Sequence, residues 1–566
     1  LKKIFLLFIF CFGFCKEQTI AQDVQQMAKS KPLELHGNLL LQGQLYSING
    51  APARQPWNAY LISGSPTLSI YGFQLPFTFT FSNTQRDFRQ PFNQVGVSPT
   101  YKWLTLHAGY RNISFSQFGL AGQTILGGGV ELNPKKFRFG VMYGRSQKAI
   151  AEDTTKSIQQ NLNSINYPAY KRMVLAGKIG VGSTSNFVDL NFVKGKDDLN
   201  SLPYKPIKTE VLPSENLVIG LAHKFTLFKK HVEWNSEVAA SIFTRDISVP
   251  KFDKTDFAYA DKVNKVMLIN LSTVGYTAAE SQLKFKNKYI STGLKYRRIE
   301  PDYKSMGAYY FQTDMEQYTG NLSTRLFKNK LNFNGSMGIQ KDNVAHKKLA
   351  TTQRNIYSTA INYTANQHFG IDFNLSNYGT AQRAGTRSLS DTAKINQISN
   401  SITLTPHYNF SKGNLLHNFI LTMGNQALND RNKFTSTYTD MTMSYANFIY
   451  SMMNIEKKMN YNFGINYSNS KTESGAIQLN GISAGAGKTL MKDKMNTDVS
   501  LALNNSSFNG TSNGLVLNAS ANCSYMVSKH HSFRGSLIWL NNQSKNSAAG
   551  NSFNEFTFMV QYNFMF

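Results

Sequence analysis

The chain is poor in what most soluble or enzymatic folds rely on. Of its three cysteines, Cys11 and Cys15 lie in an apolar N-terminal stretch and Cys523 stands alone, so no internal disulfide framework is available. Beyond that stretch no run is apolar enough for a membrane helix. There is no HExxH, no GxxxxGK[ST] leading into a helix, and no EF-hand or zinc-finger spacing. Acids are scarce: 33 Asp and Glu against 60 Lys and Arg give a formal charge of +27. The lysines are spread through turns and loops and form no basic helix, which speaks against nucleic acid as a partner. No cofactor, resident metal or catalytic constellation is called for, and an enzyme is not expected.

What is present begins with an export signal. Lys2 and Lys3 precede an apolar run from Ile4 to Phe14, and Thr19-Ile20-Ala21 fits a cleavage site. Residues 1–21 therefore read as a signal peptide. A small residue would precede a lipidated cysteine, and Phe14 precedes Cys15, so a lipid anchor is not expected. Residues 22–32 read as a short periplasmic lead-in, too short for a plug domain or periplasmic repeats.

The other end reads FTFMVQYNFMF. Phe556, Phe558, Val560, Tyr562, Phe564 and Phe566 share one face, and Thr557, Met559, Gln561, Asn563 and Met565 share the other. A strand with an aromatic outer face suits contact with lipid. In this it resembles the C-terminal strand of the outer-membrane β-barrels of Gram-negative bacteria. The resemblance implies that the six alternating residues, ending in Phe566, form the signal read by the barrel-assembly machinery.

The rest of 33–566 follows the same pattern. Leu33, Leu35, Leu39, Leu41 and Leu45 alternate with polar residues, as do Tyr461, Phe463, Ile465 and Tyr467. Polar inward positions are mostly Asn, Ser, Thr and Gln. Gly127, Gly128 and Gly129 read as a place where a loop or bulge packs against the wall. Short connections alternate with long polar ones near 146–169, 196–214, 246–267, 341–353, 381–396, 426–435 and 543–552. With no spanning helix, only a closed barrel satisfies the backbone in lipid. The expected fold is an all-β transmembrane antiparallel β-barrel of about 26 strands, with short periplasmic turns and longer extracellular loops. Twenty-four is the alternative if 75–98 is not two wall strands. The runs 308–326 and 436–454 read as strands long enough to rise beyond the membrane.

Candidate sites are few. His107 reads as inward, with Ser114 and Ser116 near the end of its strand, though no third group orients such a pair. Asp197 and Asp198, with Asp189 nearby, could contact a divalent cation or simply open a solvated loop. Arg297, Arg298, Glu300 and Asp302 read as a surface ion-pair cluster, His530 and His531 as a headgroup-facing turn. Trp57, Trp103, Trp234 and Trp539 read as structural, with sugar stacking open for Trp57.

The runs YKWLTLHAGYR (101–111), LGGGVELNPKKFRFGVMYGR (126–145) and PSENLVIGLAHKF (213–225) also resemble large outer-membrane proteins of Bacteroidota, and imply no activity. A ring of this size would leave a wide lumen, so occlusion by inward loops, by 22–32 or by a partner is expected. Two functions fit: a porin-like channel or translocation pore of the outer membrane, or an accessory barrel subunit of an envelope complex. The lysines either favour anionic solutes or solvate loops and contact headgroups. Expected partners are outer-membrane lipids and lipopolysaccharide, the barrel-assembly machinery and envelope proteins.

Overall fold

A computed structural model describes residues 32–566 apart from 72, 84–93, 156, 158, 161–166, 207–210, 254–259, 309–311, 387–389 and 546–550. Residues 1–31, which hold the expected signal peptide and all but the last residue of the expected lead-in, lie outside the described residues. No described helix is long and apolar enough to cross a membrane. The described chain is almost all strand.

Twenty-nine strand segments fill 26 wall positions. The first five are β1 (Leu33–His36, then Asn38–Asn49), β2 (Asn58–Gly64, then Thr67–Ile70), β3 (Phe73–Ser82), β4 (Gln94–Val97 with Thr100–Tyr101) and β5 (Leu104–Asn112). There follow β6 (Thr124–Leu132), β7 (Phe137–Gln147), β8 (Arg172–Gly182), β9 (Phe187–Asp197), β10 (Glu215–Leu227) and β11 (Val232–Thr244). Next are β12 (Thr273–Lys286), β13 (Ile290–Ile299), β14 (Met315–Leu326), β15 (Leu331–Lys341), β16 (Ala350–Thr364), β17 (Phe369–Ala384) and β18 (Asn396–Lys412). The last are β19 (Leu415–Asp430), β20 (Met441–Asn454), β21 (Met459–Thr472), β22 (Gly475–Leu490), β23 (Met495–Phe508), β24 (Thr511–Met526), β25 (His531–Ser544) and β26 (Phe553–Met565). Each pairs antiparallel with the next. The ring closes where β26 pairs with β1, in the register Leu41↔Tyr562 and Gly43↔Val560. Gly37 and Phe566 exchange backbone hydrogen bonds of 2.9 and 3.1 Å across this seam. Closure removes both sheet edges. With strands about 4.8 Å apart and tilted about 40°, the ring is roughly 50 Å across its backbone.

The count of 26 depends on residues 75–101. β3 and β4 both stand in the wall: Phe77 faces Val97, and Val97 faces Ala108 of β5. The 24-strand alternative is therefore set aside. The outer face is apolar along every turn of the ring. On β26, Phe556, Phe558 and Val560 are each more than 40% exposed, as are Leu190, Ile219, Leu221 and Val238 on β9 to β11. Trp539 of β25 stacks on Phe556 at 5.9 Å.

The two strands expected to be long start later than the alternation suggests, though at 12 and 14 residues both still exceed the roughly 9–11 of a tilted crossing. β14 begins only at Met315 and β20 at Met441. Ahead of β20, Ser436–Thr439 is a helical turn. Ahead of β14, residues 300–308 leave the wall, because Tyr303 and Met306 find an apolar surface inside the ring.

Candidate functional site: the lumen

Alternation settles which way each side chain points. On β8 and β9 the exposed apolar residues are Ile179, Val181, Leu190 and Phe192. Their neighbours Val174, Ala176, Lys178, Asp189, Asn191 and Val193 therefore point into the lumen, and all are buried. What buries them is a pair of connections folded inward, 113–123 between β5 and β6 and 300–308 after β13. Together with Ile125, Met142, Val218, Ala239, Phe243 and Ala278 of the inner wall, their residues Phe118, Leu120, Tyr303 and Met306 form the one apolar cluster among the described residues. Glycines make room. A methyl group on Gly140 of β7 would meet the Phe115 ring at 2.9 Å, and one on Gly195 of β9 would strike Met306. Gly127 and Gly129 are tight against the backbone of β7 itself rather than against a loop.

The first loop is latched to the wall by one carboxylate. Glu237 of β11 accepts from Ser116 Oγ at 2.5 Å, from the Phe118 N–H at 3.0 Å and from the Gln117 N–H at 3.2 Å. The second loop rests on the first: Tyr303 donates to the Phe118 carbonyl at 3.0 Å and Ser305 to the Gly119 carbonyl at 2.6 Å. It also reaches the wall directly. Asn216 Oδ1 accepts from the Met306 N–H at 3.0 Å, and Ser241 donates to the Lys304 carbonyl at 2.6 Å. The Lys304 ammonium lies 4.7 Å over the Phe243 ring. Burial, with Arg172 alongside, holds that ammonium below its ordinary range, and burial pushes the Tyr303 phenol up.

A further tie holds the base of the second loop. Asp314 pairs with Lys348 and accepts from the Val344 N–H at 2.8 Å. Burial alone would raise the Asp314 carboxyl, but Lys348 and the backbone N–H groups of Val344 and Asn343 outweigh it and hold the group low. A depressed folded value means the tie contributes fully above the ordinary carboxyl range of about 4 and is lost as pH falls through the lowered value. Current noise through the reconstituted barrel should therefore rise on acidification below pH about 4. Lys348→Ala should bring the same noise at pH 7; a quiet Lys348→Ala trace would show that the tie does not restrain the loop.

The opposite wall is bare. On β15 to β18 and β21 to β24 the inward residues are mostly small and polar, whereas Met441, Met443, Tyr445, Ile449 and Met453 of β20 share the inner face with Thr403, which bonds the Tyr445 hydroxyl at 2.9 Å. A shallow recess of about 420 Å³ is lined by Asn321, Asn334, Ser336, Ser358, Asn374 and Ser401 among others. Ser336 and Ser358 bond to each other at 2.7 Å.

The residues singled out from sequence fall as follows. His107 does point inward, but its partners are Ser98 at 2.8 Å and Glu131 at 3.2 Å, neither Ser114 nor Ser116. Ser98 is only 5% exposed, and Glu131 also pairs with Lys178 at 3.3 Å. This is a brace within the wall, and an isolated stretch around Pro99 gave no sign of it. The acidic cluster is dispersed: Asp189 goes to Arg138, Asp197 to Arg172 and Asp198 to Lys171. Arg297 is not on the surface; it turns into the lumen toward Glu280 and lies 5.7 Å over the Phe118 ring. His530 bonds the Met565 carbonyl and His531 the Tyr562 hydroxyl, each through Nδ1 at 2.7 Å. No group of three or more potential metal ligands occurs among the described residues. Trp57 is 71% exposed in the β1–β2 connection.

Fold and lumen together define a large closed β-barrel with an apolar outer belt and two loops packed against one side of its interior. No protein-family model matches the sequence, and no curated protein does. Solved structures that resemble it are barrels. The P pilus usher (PapC) translocation pore covers 94% of this chain and 99% of its own at 9% identity and a TM-score of 0.36. OprD of Pseudomonas aeruginosa covers 70% and 94% at 11% identity and 0.31. OccAB4 of Acinetobacter baumannii covers 67% and 97% at 13% identity and 0.31. Overlap this loose carries no argument.

Proposed function

We propose that this protein is an outer-membrane channel that passes polar, largely uncharged solutes along the bare half of its lumen. The observation that carries the reading is the inner wall of β15 to β18 and β21 to β24. A scaffold with no water behind it would have no use for a face of Asn, Ser and Thr left uncovered, since unpaired polar groups are costly away from water. The loops 113–123 and 300–308 narrow the bore from the other side. The excess lysines do not line this path, so strong anion preference is not part of the reading. Residues 1–21 act as the export signal, and the alternating face from Phe556 to Phe566 as the assembly signal. Lipopolysaccharide and the assembly machinery are the partners this implies.

The test is single-channel recording in planar bilayers with the refolded mature chain, in salts of different anion and cation size. Large steady conductance with weak ion selectivity is expected, together with swelling of proteoliposomes in neutral sugars. Silence from a correctly folded barrel would favour the accessory-subunit reading, and the search would turn to what co-purifies.

A further inference from the structure

We propose that the rim carrying the short turns is a binding surface for anionic phospholipid headgroups. The proposal rests on the barrel spanning a membrane and not on its conducting anything.

The charge is segregated. Of the twelve short connections on this rim, eight carry at least one lysine and five carry two, while Glu456 and Asp493 are the acids within them. Lys458 already pairs with Asp493. The opposite rim balances its cations: Lys171 with Asp198, Arg245 with Asp302, Lys348 with Asp314 and Lys394 with Asp391.

Three of these turns are built alike. Phe228-Lys229-Lys230, Phe327-Lys328-Asn329 and Met491-Lys492-Asp493 each hold three successive residues at φ between 50° and 71°. Each closes with a hydrogen bond to the first residue's carbonyl, from His231, Lys330 and Lys494 respectively. The two central residues at positive φ match the twist of a hairpin, where Asn-Gly is the usual choice. Here lysine occupies such a position at the expense of the easier residue. Each turn also presents an apolar side chain to the outside: Phe228, Phe327 and Met491 are 74%, 71% and 60% exposed. A ligand that meets both needs an anionic part beside an apolar part.

Depth identifies it. On β10 the outward residues Leu217, Ile219, Leu221, His223, Phe225 and Leu227 form a continuous belt that ends at the turn. Ten residues at about 3.3 Å each, tilted about 40°, rise roughly 25 Å, the height of a lipid-facing band. Glu215 lies just past the far end. The hydrocarbon boundary is thus at the turn itself, which sets Lys229 and Lys230 level with the phosphates and Phe228 at the acyl boundary. An acidic protein docking from below would answer the charges but not the apolar side chains at that depth.

The experiment compares lipid retention. The full mature barrel is equilibrated in mixed micelles of phosphatidylglycerol and phosphatidylcholine and its bound lipids are counted by native mass spectrometry. The wild type should retain phosphatidylglycerol over phosphatidylcholine at least fivefold. K229Q/K230Q/K328Q/K330Q/K492Q/K494Q should lose most of that preference, while K148Q/K205Q/K251Q/K347Q/K433Q/K545Q, on the opposite rim, should keep it. A heat-modifiable gel shift checks that both are folded; should the first variant fail to fold, stripping of the preference from wild type by 0.5 M salt is the equivalent test. No preference in the wild type, or equal loss in both variants, overturns the proposal. So does tight binding of a polyglutamate peptide to wild type in neutral nanodiscs without any preference for phosphatidylglycerol, which would point to an acidic protein. Conductance plays no part in the readout, so a failed channel reading leaves this result standing, and the reverse.

Discussion

Glu237→Ala should open the lumen without unfolding the wall. The substitution removes the acceptor for one hydroxyl and two backbone N–H groups of the 113–123 loop. Hydrogen bonds to a charged group are each worth about 1.5–3 kcal/mol, and donors left buried without partners cost more. Discounting for non-additivity, docking of this loop should weaken by roughly 3–5 kcal/mol, enough to shift its population by two orders of magnitude or more. The barrel ladder is untouched, since β11 keeps its backbone pairs with β10 and β12. Single-channel conductance should rise, with millisecond noise from the released loop. Glu237→Gln keeps one acceptor oxygen and should fall between. A Glu237→Ala channel indistinguishable from wild type would mean that the contacts of Tyr303 and Ser305 hold the loop unaided.

The second large effect is at the closing strand. Val560 faces outward between Gly43 and Gly535. Arg at such a site should cost about 2–4 kcal/mol near the bilayer midplane. Met559, one residue away, faces the lumen between Gln44 and Ser536. Arg there should cost less than about 1 kcal/mol, because water and polar groups receive it. The comparison is made by urea titration of folding into lipid vesicles, reading the heat-modifiable band. If Met559→Arg proved the more damaging, the assignment of faces on β26 would be reversed.

The outer face was legible from residue alternation alone, because lipid demands apolar side chains at every second position and tolerates few exceptions. Phe556 to Phe564 and Leu217 to Leu227 needed nothing else. Wall count was legible too, since the short–long rhythm of connections survives even where β4 is broken by Pro99. The plug was not. Tyr318, Gly320 and Leu322 alternate with polar residues as a wall strand does, and nothing local says that 300–308 leaves the wall. The signal lay in the partner surface. Segments such as RMVLAGKIGV on β8 are apolar on both faces, which a wall against open water would not be. Val174 and Ala176, pointing in, asked for a cover. Which loop supplies it depends on Gly140 of β7, which makes room for Phe115, and on Gly195 of β9, which makes room for Met306, positions more than fifty residues apart in the chain. The Glu237 latch was hidden for the same reason: a carboxylate's partners, when they are backbone N–H groups, leave no trace in composition.

The wall is uneven in height. β5 and β6 have nine residues each, whereas β16 to β19 have fifteen to seventeen. Six to eight further residues along tilted strands lift that side by roughly 15–20 Å. Above the apolar belt it stands as bare sheet, and its ladder from Ala350↔Ala384 to Thr364↔Gly370 has no break. An outward pull on the tall side would load such ladders largely in shear, with many hydrogen bonds strained together, whereas the low side would yield through its long connections one contact at a time. An outward pull on this barrel would therefore be carried best through β16 to β19.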